Sequence, residues 1–141
     1  VSFYLDANLL VALFAPDVHS AAADAWIDAN PGELCVGDFA RIEFTAVLSR
    51  RFRVEPASEK ILREALGDFD EWARRMTTQI DTRPRDMALA EHLARDFALK
   101  LSAPDALHLA LCENRDYTLV TFDMRLAEAA RRRGAKTIAP S

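Results

Sequence analysis

A chain of 141 residues, half of them hydrophobic, is long enough for one domain with a packed core and needs neither a metal nor a disulfide to fold. Its two cysteines, Cys35 and Cys112, lie far apart with no Cys-x-x-Cys pair, which argues against a zinc site and against a disulfide-stapled secreted fold. A formal net charge of −4 argues against a broad basic face that grips nucleic acid, but not against an acidic metal site with arginines at its rim.

Ser2 to Leu5 reads as a short buried strand with Asp6 directly after it, and Asn8 to Ala15 as a helix that stops before Pro16. Asp17 opens a second helical pattern to about Asn30, where Pro31-Gly32 breaks it. Glu33 to Val36 is a further strand, and Asp38 is placed to cap the helix through Arg53. Pro56 opens an amphipathic segment to about Met76, with Ile61, Leu62, Leu66, Phe69 and Trp72 as its apolar side. Thr78 to Ile80 is a weak strand, and Pro84 to Leu99 a helix whose apolar set is Met87, Leu89, Ala90, Leu93, Ala94 and Phe97. Ser102 starts a helix that is apolar almost all round, so it should be buried. Tyr117 to Phe122 is the strongest strand pattern, Asp123 begins a helix ending at Gly134, and Lys136 to Ala139 makes a last short strand. Strands alternating with helices imply an α/β fold, a parallel sheet covered on both faces, in one domain over 1–141. The apolar run Leu9 to Ala15 is too short to span a bilayer and follows no basic leader, so a soluble cytoplasmic protein with no membrane association is expected.

Four acids stand out. Ligands of open parallel sheets bind beyond the carboxyl ends of the strands, where Asp6 and Asp123 fall. On a helical projection Glu43 lies between Phe39, Ala46 and Val47, in the middle of the stripe that should face the core, so it should be paired or bound to a cation, the alternatives being that it edges out to solvent or pairs with Arg50. Asp105 has the spacing of a capping box with Ser102, and Asp6 and Asp123 would also serve as plain helix caps. Jointly, the acids fit a shared site better than unrelated caps. Two carboxylates about 5 Å apart repel by roughly 3 kcal/mol at an effective dielectric of about 20, so a cluster of four requires protons or cations. Oxygen-only ligation selects Mg²⁺ or Mn²⁺, which activate water and stabilise an attacked phosphate. Asn8 and Thr121, two residues from Asp6 and Asp123, are placed to brace the acids or to act as turn residues.

The segments FYLDANLL, Ile42-Glu43-Phe44, LSAPDALHLALC and LVTFDMRL together resemble the PIN domain, and within it the VapC-type toxins of bacterial toxin–antitoxin pairs. The resemblance runs from the first strand to the last. It implies a three-layer α/β/α sandwich around a short parallel sheet, acids binding Mg²⁺ or Mn²⁺, and hydrolysis of RNA phosphodiesters by an endoribonuclease. It also implies a homodimer inhibited by a cognate antitoxin. Asp6, Glu43, Asp105 and Asp123 match the family's four acids, and Asn8 and Thr121 its accompanying polar residues. The segment from Glu55 to Arg85 matches nothing, so the target RNA is not implied.

Other residues carry less. His108 is one turn from Asp105 and would serve as proton shuttle or ligand, but a satisfied buried histidine is the commoner case. His19 and His92 show no partner. Arg50, Arg51 and Arg53 end the helix that carries Glu43 and are better placed for phosphate or antitoxin than Arg131 to Arg133, whose position suits the helix dipole alone. Trp26 and Trp72 read as packing residues. Two competing functions are a haloacid-dehalogenase-like phosphatase, which would want an acid where Asn8 stands, and a non-catalytic PIN-like scaffold binding RNA or protein.

Overall fold

The computed structural model describes residues 1–30 and 32–141, so the expected break at Pro31 lies outside the described residues. Among those residues, five strands alternate with helices: β1 (Ser2–Leu5), β2 (Glu33–Gly37), β3 (Thr77–Ile80), β4 (Thr118–Val120) and β5 (Thr137–Ile138). The helices are α1 (Ala7–Phe14), α2 (Ser20–Ala29), α3 (Asp38–Val54), α4 (Glu59–Met76), α5 (Pro84–Ala94), α6 (Ala103–Arg115) and α7 (Met124–Arg132), with single 3₁₀ turns at Pro56–Ser58 and Phe97–Leu99. The sheet is wholly parallel, in the order β3-β2-β1-β4-β5.

Alternation along the strands divides the core in two. Phe3, Leu5, Leu34, Val36 and Val120 point to one side and pack with α1 to α4. Tyr4, Cys35 and Leu119 point to the other and pack with α5 to α7. The result is the three-layer α/β/α arrangement expected from the sequence. Trp26 packs edge-on against Phe3, and Trp72 against Phe14, so both serve the helix layer. Both cysteines are free and buried, and burial pushes the Cys35 thiol up to about 12, leaving it an inert apolar group. No helix among the described residues is long and apolar enough to cross a membrane.

Several local expectations need correction. Asp17 does not start α2. Its carboxylate accepts from the His19 N–H in a turn, and the helix begins at Ser20. Asp38 is the first residue of α3, with Gly37 at the cap position; its carboxylate accepts from the Phe39 N–H and also from the Thr82 hydroxyl and N–H, tying α3 to the segment after β3. Ile61 lies off the core side of α4, which is Leu62, Ala65, Leu66, Phe69, Trp72 and Ala73. The pattern from Pro84 to Leu99 is broken after Ala94, and Met87 and Phe97 are 59% and 86% exposed, so apolar spacing alone overstated the buried set.

One buried charge was not anticipated. Asp86, in the first turn of α5, is fully buried, and Arg115 at the end of α6 meets it with two guanidinium bonds of 2.8 and 3.0 Å. The same carboxylate accepts from Asn114 Nδ2 at 2.8 Å and from the Arg83 N–H at 2.7 Å. Burial acts to raise its pKa, but these donors outweigh it and hold Asp86 at about 2.

Candidate active-site cleft

The strand order reverses between β1 and β4, which run to opposite halves of the sheet, and a crevice opens beyond their carboxyl ends at such a point. Asp6 leaves β1 there and Thr121 leaves β4. The crevice is an open cleft of about 550 Å³ whose lining includes Asp6, Asn8, Glu43, Asp105 and Asp123, with Arg50 and Arg51 on its border. The chain thus brings to one place four acids from four separate elements, together with two of the three arginines. Arg53 does not line the cleft; its guanidinium bonds Ser49 on its own helix.

Asp6 is buried and fully engaged. Its Oδ1 accepts from the Ala7 N–H at 2.7 Å, and its Oδ2 from the Thr121 hydroxyl at 2.6 Å and Asn8 Nδ2 at 3.1 Å. Burial raises its pKa, and His108 and the Thr121 hydroxyl offset part of that rise. Thr121 in turn accepts from the Asp123 N–H and from Asn8 Nδ2, while Asn8 Oδ1 accepts from the Phe122 N–H. Asn8 and Thr121 therefore lock the loop after β4 onto the start of α1, a bracing geometry that exceeds plain turn formation. Asp123 caps α7 through Oδ1 alone, from the Arg125 and Leu126 N–H groups.

Asp105 sits in the first turn of α6. Ser102 caps that helix by accepting from the Asp105 N–H at 3.3 Å, but among the described residues no return bond runs from the Ser102 N–H to the Asp105 carboxylate, so the capping box is half-formed. Burial and then the charge of Asp123 raise the Asp105 pKa. A carboxylate disfavoured in its charged form is relieved by neutralisation. Asp105→Asn is expected to unfold at the same or a higher temperature than the parent in EDTA, measured by calorimetry; a large loss would mean the side chain works as a cap.

Glu43 is half-buried beside the core stripe of α3, which runs through Ala40, Phe44 and Leu48, and is not in the middle of that stripe. It does not pair with Arg50, and 29% of its side chain stays exposed toward the cleft. His108 Nε2 bonds Glu43 Oε1, lies 3.8 Å from Asp6 Oδ1, and its ring's Nδ1 is 2.7 Å from the Tyr4 hydroxyl. Burial acts to lower the His108 pKa, but the Glu43 bond and the nearby acids outweigh it and raise it. His108 is a satisfied buried histidine, as expected, yet its partners are site acids. Ligand atoms of Asp6, Glu43 and His108 lie within 4.8 Å of one another, the one such group among the described residues; Asp105 and Asp123 line the same cleft but fall outside it.

His19 also departs from expectation. Its imidazole stacks on Phe122 with ring centroids 4.2 Å apart and planes at 8°, at the edge of the same cleft. The last helix's arginines are spent elsewhere: Arg133 forms a double bond pair with Glu113, and Arg132 bonds the Ala98 carbonyl.

Solved structures share this fold at low identity. VapBC2 from Rickettsia felis, bound to a promoter DNA fragment, matches with a TM-score of 0.75 and 14% identity over 100% of both chains. VapC20 of Mycobacterium tuberculosis, a toxin that cleaves the sarcin–ricin loop, matches with 0.71 and 18% over 90% of this chain and 94% of that one. FitAcB from Neisseria gonorrhoeae matches with 0.67 and 16% over 98% and 97%. No curated protein sequence matches the chain. The sequence model of the PIN domain matches residues 3–132, nearly the whole length over which strands and site acids are spread, and the chain belongs to the PIN domain family.

Proposed function

We propose that this chain is a Mg²⁺- or Mn²⁺-dependent endoribonuclease, the toxin of a VapC-type toxin–antitoxin pair. The observation that carries the reading is the convergence of Asp6, Glu43, Asp105 and Asp123 on one cleft at the sheet's switch point, bordered by Arg50 and Arg51. The donor set fits a hard divalent cation. It is rich in carboxylate oxygen, and two of its acids are disfavoured as charges in the cation's absence. Asp6, Glu43, Asp105 and Asp123 would hold the ion, which when bound supplies an activated water and charge for the phosphate. Arg50 and Arg51 bind phosphate oxygens of the substrate, and Asn8 and Thr121 keep Asp6 in place. The similarity in fold to structures of toxin–antitoxin complexes supports a cognate antitoxin as partner. A homodimer, a single functional domain and a cytoplasmic location belong to the same reading.

Purified protein incubated with RNA and Mg²⁺ is expected to give fragments with 5′-phosphate and 3′-hydroxyl ends, and none in EDTA. Cleavage that persists in EDTA, or ends bearing 2′,3′-cyclic phosphate, would exclude it. Mn²⁺ titration separates the enzyme from a non-catalytic scaffold, which has no need of the ion. A phosphatase would require a second acid where Asn8 stands, and Asn8 is occupied in bracing Asp6 and Thr121.

A further inference from the structure

We propose that Tyr4 and His108 form a positioning relay that orients the Glu43 carboxylate in the cleft, and that Gly37 exists to leave room for it. The proposal rests on reading the cleft as the catalytic site.

The relay crosses all three layers. Tyr4 is on the central strand, His108 on the buried α6, and Glu43 on α3 on the far side of the sheet's edge. His108 is 1% exposed and both ring nitrogens are engaged, Nδ1 with the Tyr4 hydroxyl and Nε2 with Glu43. A carboxylate that holds a cation keeps no hydrogen of its own, so Nε2 supplies the one in that bond. A nitrogen that carries a hydrogen has no lone pair for a cation. His108 is therefore a brace for Glu43 and not a ligand, although it belongs by distance to the group with Asp6 and Glu43. In the neutral ring, the phenol hydrogen fills the Nδ1 lone pair and so selects the tautomer that puts Nε2–H toward Glu43.

Gly37 gives independent support. Its backbone angles, φ −79° and ψ 151°, suit any residue, so conformational freedom does not explain a glycine there. Space does. A Cβ at position 37 would lie 2.8 Å from the Tyr4 hydroxyl oxygen and 3.2 Å from its ring Cε2, against a rigid, fully buried side chain. An added methyl group would push the hydroxyl away from His108.

The test uses Tyr4→Phe, Gly37→Ala, their combination, His108→Gln and His108→Leu. At a pH where the ring is neutral, nitrogen NMR of the imidazole in the metal-free protein is expected to show the hydrogen on Nε2, and to show it still there after Mg²⁺ is added. In Tyr4→Phe a mixture of tautomers is expected, with Mg²⁺ affinity and kcat each down about tenfold and KM for RNA unchanged. Gly37→Ala should shift the same quantities in the same direction, although residue 37 touches none of the acids. In the Tyr4→Phe background it should add little, because its chief clash is gone. His108→Gln, whose amide still offers N–H, should lose less than His108→Leu. Loss of the Nε2 hydrogen on adding Mg²⁺ would overturn the proposal in favour of ligation. Unchanged Mg²⁺ affinity and tautomer in Tyr4→Phe would overturn it as well. If the parent protein cleaved no RNA, the functional reading would fail, while the NMR and Mg²⁺ measurements would still decide the relay.

Discussion

Asp6→Asn is expected to lower RNA cleavage by about a thousandfold or more, equivalent to roughly 4 kcal/mol of barrier, while leaving the metal-free protein folded. The two halves of that expectation come from the same residue. Asn retains an oxygen for the Ala7 N–H, so the cap on α1 survives. It removes a charge that burial disfavours. The sign follows from the raised pKa: the folded protein holds its proton on Asp6 more tightly than the unfolded chain, so stability from this group falls as pH rises through that interval. At neutral pH the variant should therefore melt at or above the parent in EDTA, and the parent's gain in melting temperature on adding Mn²⁺ should be largely abolished. Circular dichroism melts with and without Mn²⁺, beside a cleavage assay, check both halves. A variant that unfolds in EDTA would show that Asp6 is chiefly structural.

Asp86→Ala is expected to destabilise the fold by about 3–5 kcal/mol, because it leaves the Arg115 guanidinium with backbone carbonyls but no carboxylate, and the Arg83 N–H without its acceptor. That is a large part of the roughly 5–15 kcal/mol that holds a domain of this kind together. Replacing Arg115 by Leu in the same chain should recover much of the loss, since an apolar pair avoids the buried unpaired charge. A pH signature accompanies the stability effect. Asp86 titrates at about 2 in the folded protein against its ordinary 3.8, so its stabilisation is complete above about pH 4 and disappears as pH falls toward 2. The integrated contribution is about 2 kcal/mol. Asp6 and Asp105, whose pKa values are raised, change stability in the opposite sense as they protonate, so the comparison to make is parent against Asp86→Asn across that range. Equal acid sensitivity of the two in urea melts would refute the assignment.

The acids and the sheet were readable because their signals are local. Asp6 and Asp123 sit where a strand hands over to a helix, and strand alternation is written into every second residue. Partnerships were not readable, because they join distant parts of the chain. Glu43 announced that it needed a partner, but nothing within a helical turn names His108, 65 residues on. His108 was legible as buried from the apolar surround of its helix, and periodicity says nothing about which polar atoms meet it there. His19 and Phe122 stack only because two loops meet at the cleft. Asp86 looked like an ordinary acid in a helix's first turn, and its weight comes from Arg115, 29 residues later. Met87 and Phe97 failed for a different reason: hydrophobicity marks what a face can bury, Met87 lies on the open side of α5, and Phe97 falls in the turn after that helix has ended.

The strand order also governs when this molecule can exist as a working object during its own synthesis. The first strand made is the centre of the sheet, and one of its two neighbours, β4, is translated more than a hundred residues later. Thr121, which holds Asp6, is separated from it by 115 positions. Such distant pairing makes folding slow relative to a chain of local contacts. A nascent chain therefore carries Asp6 and Glu43 without the side of the crevice that completes them until β4 and the segment after it have been made.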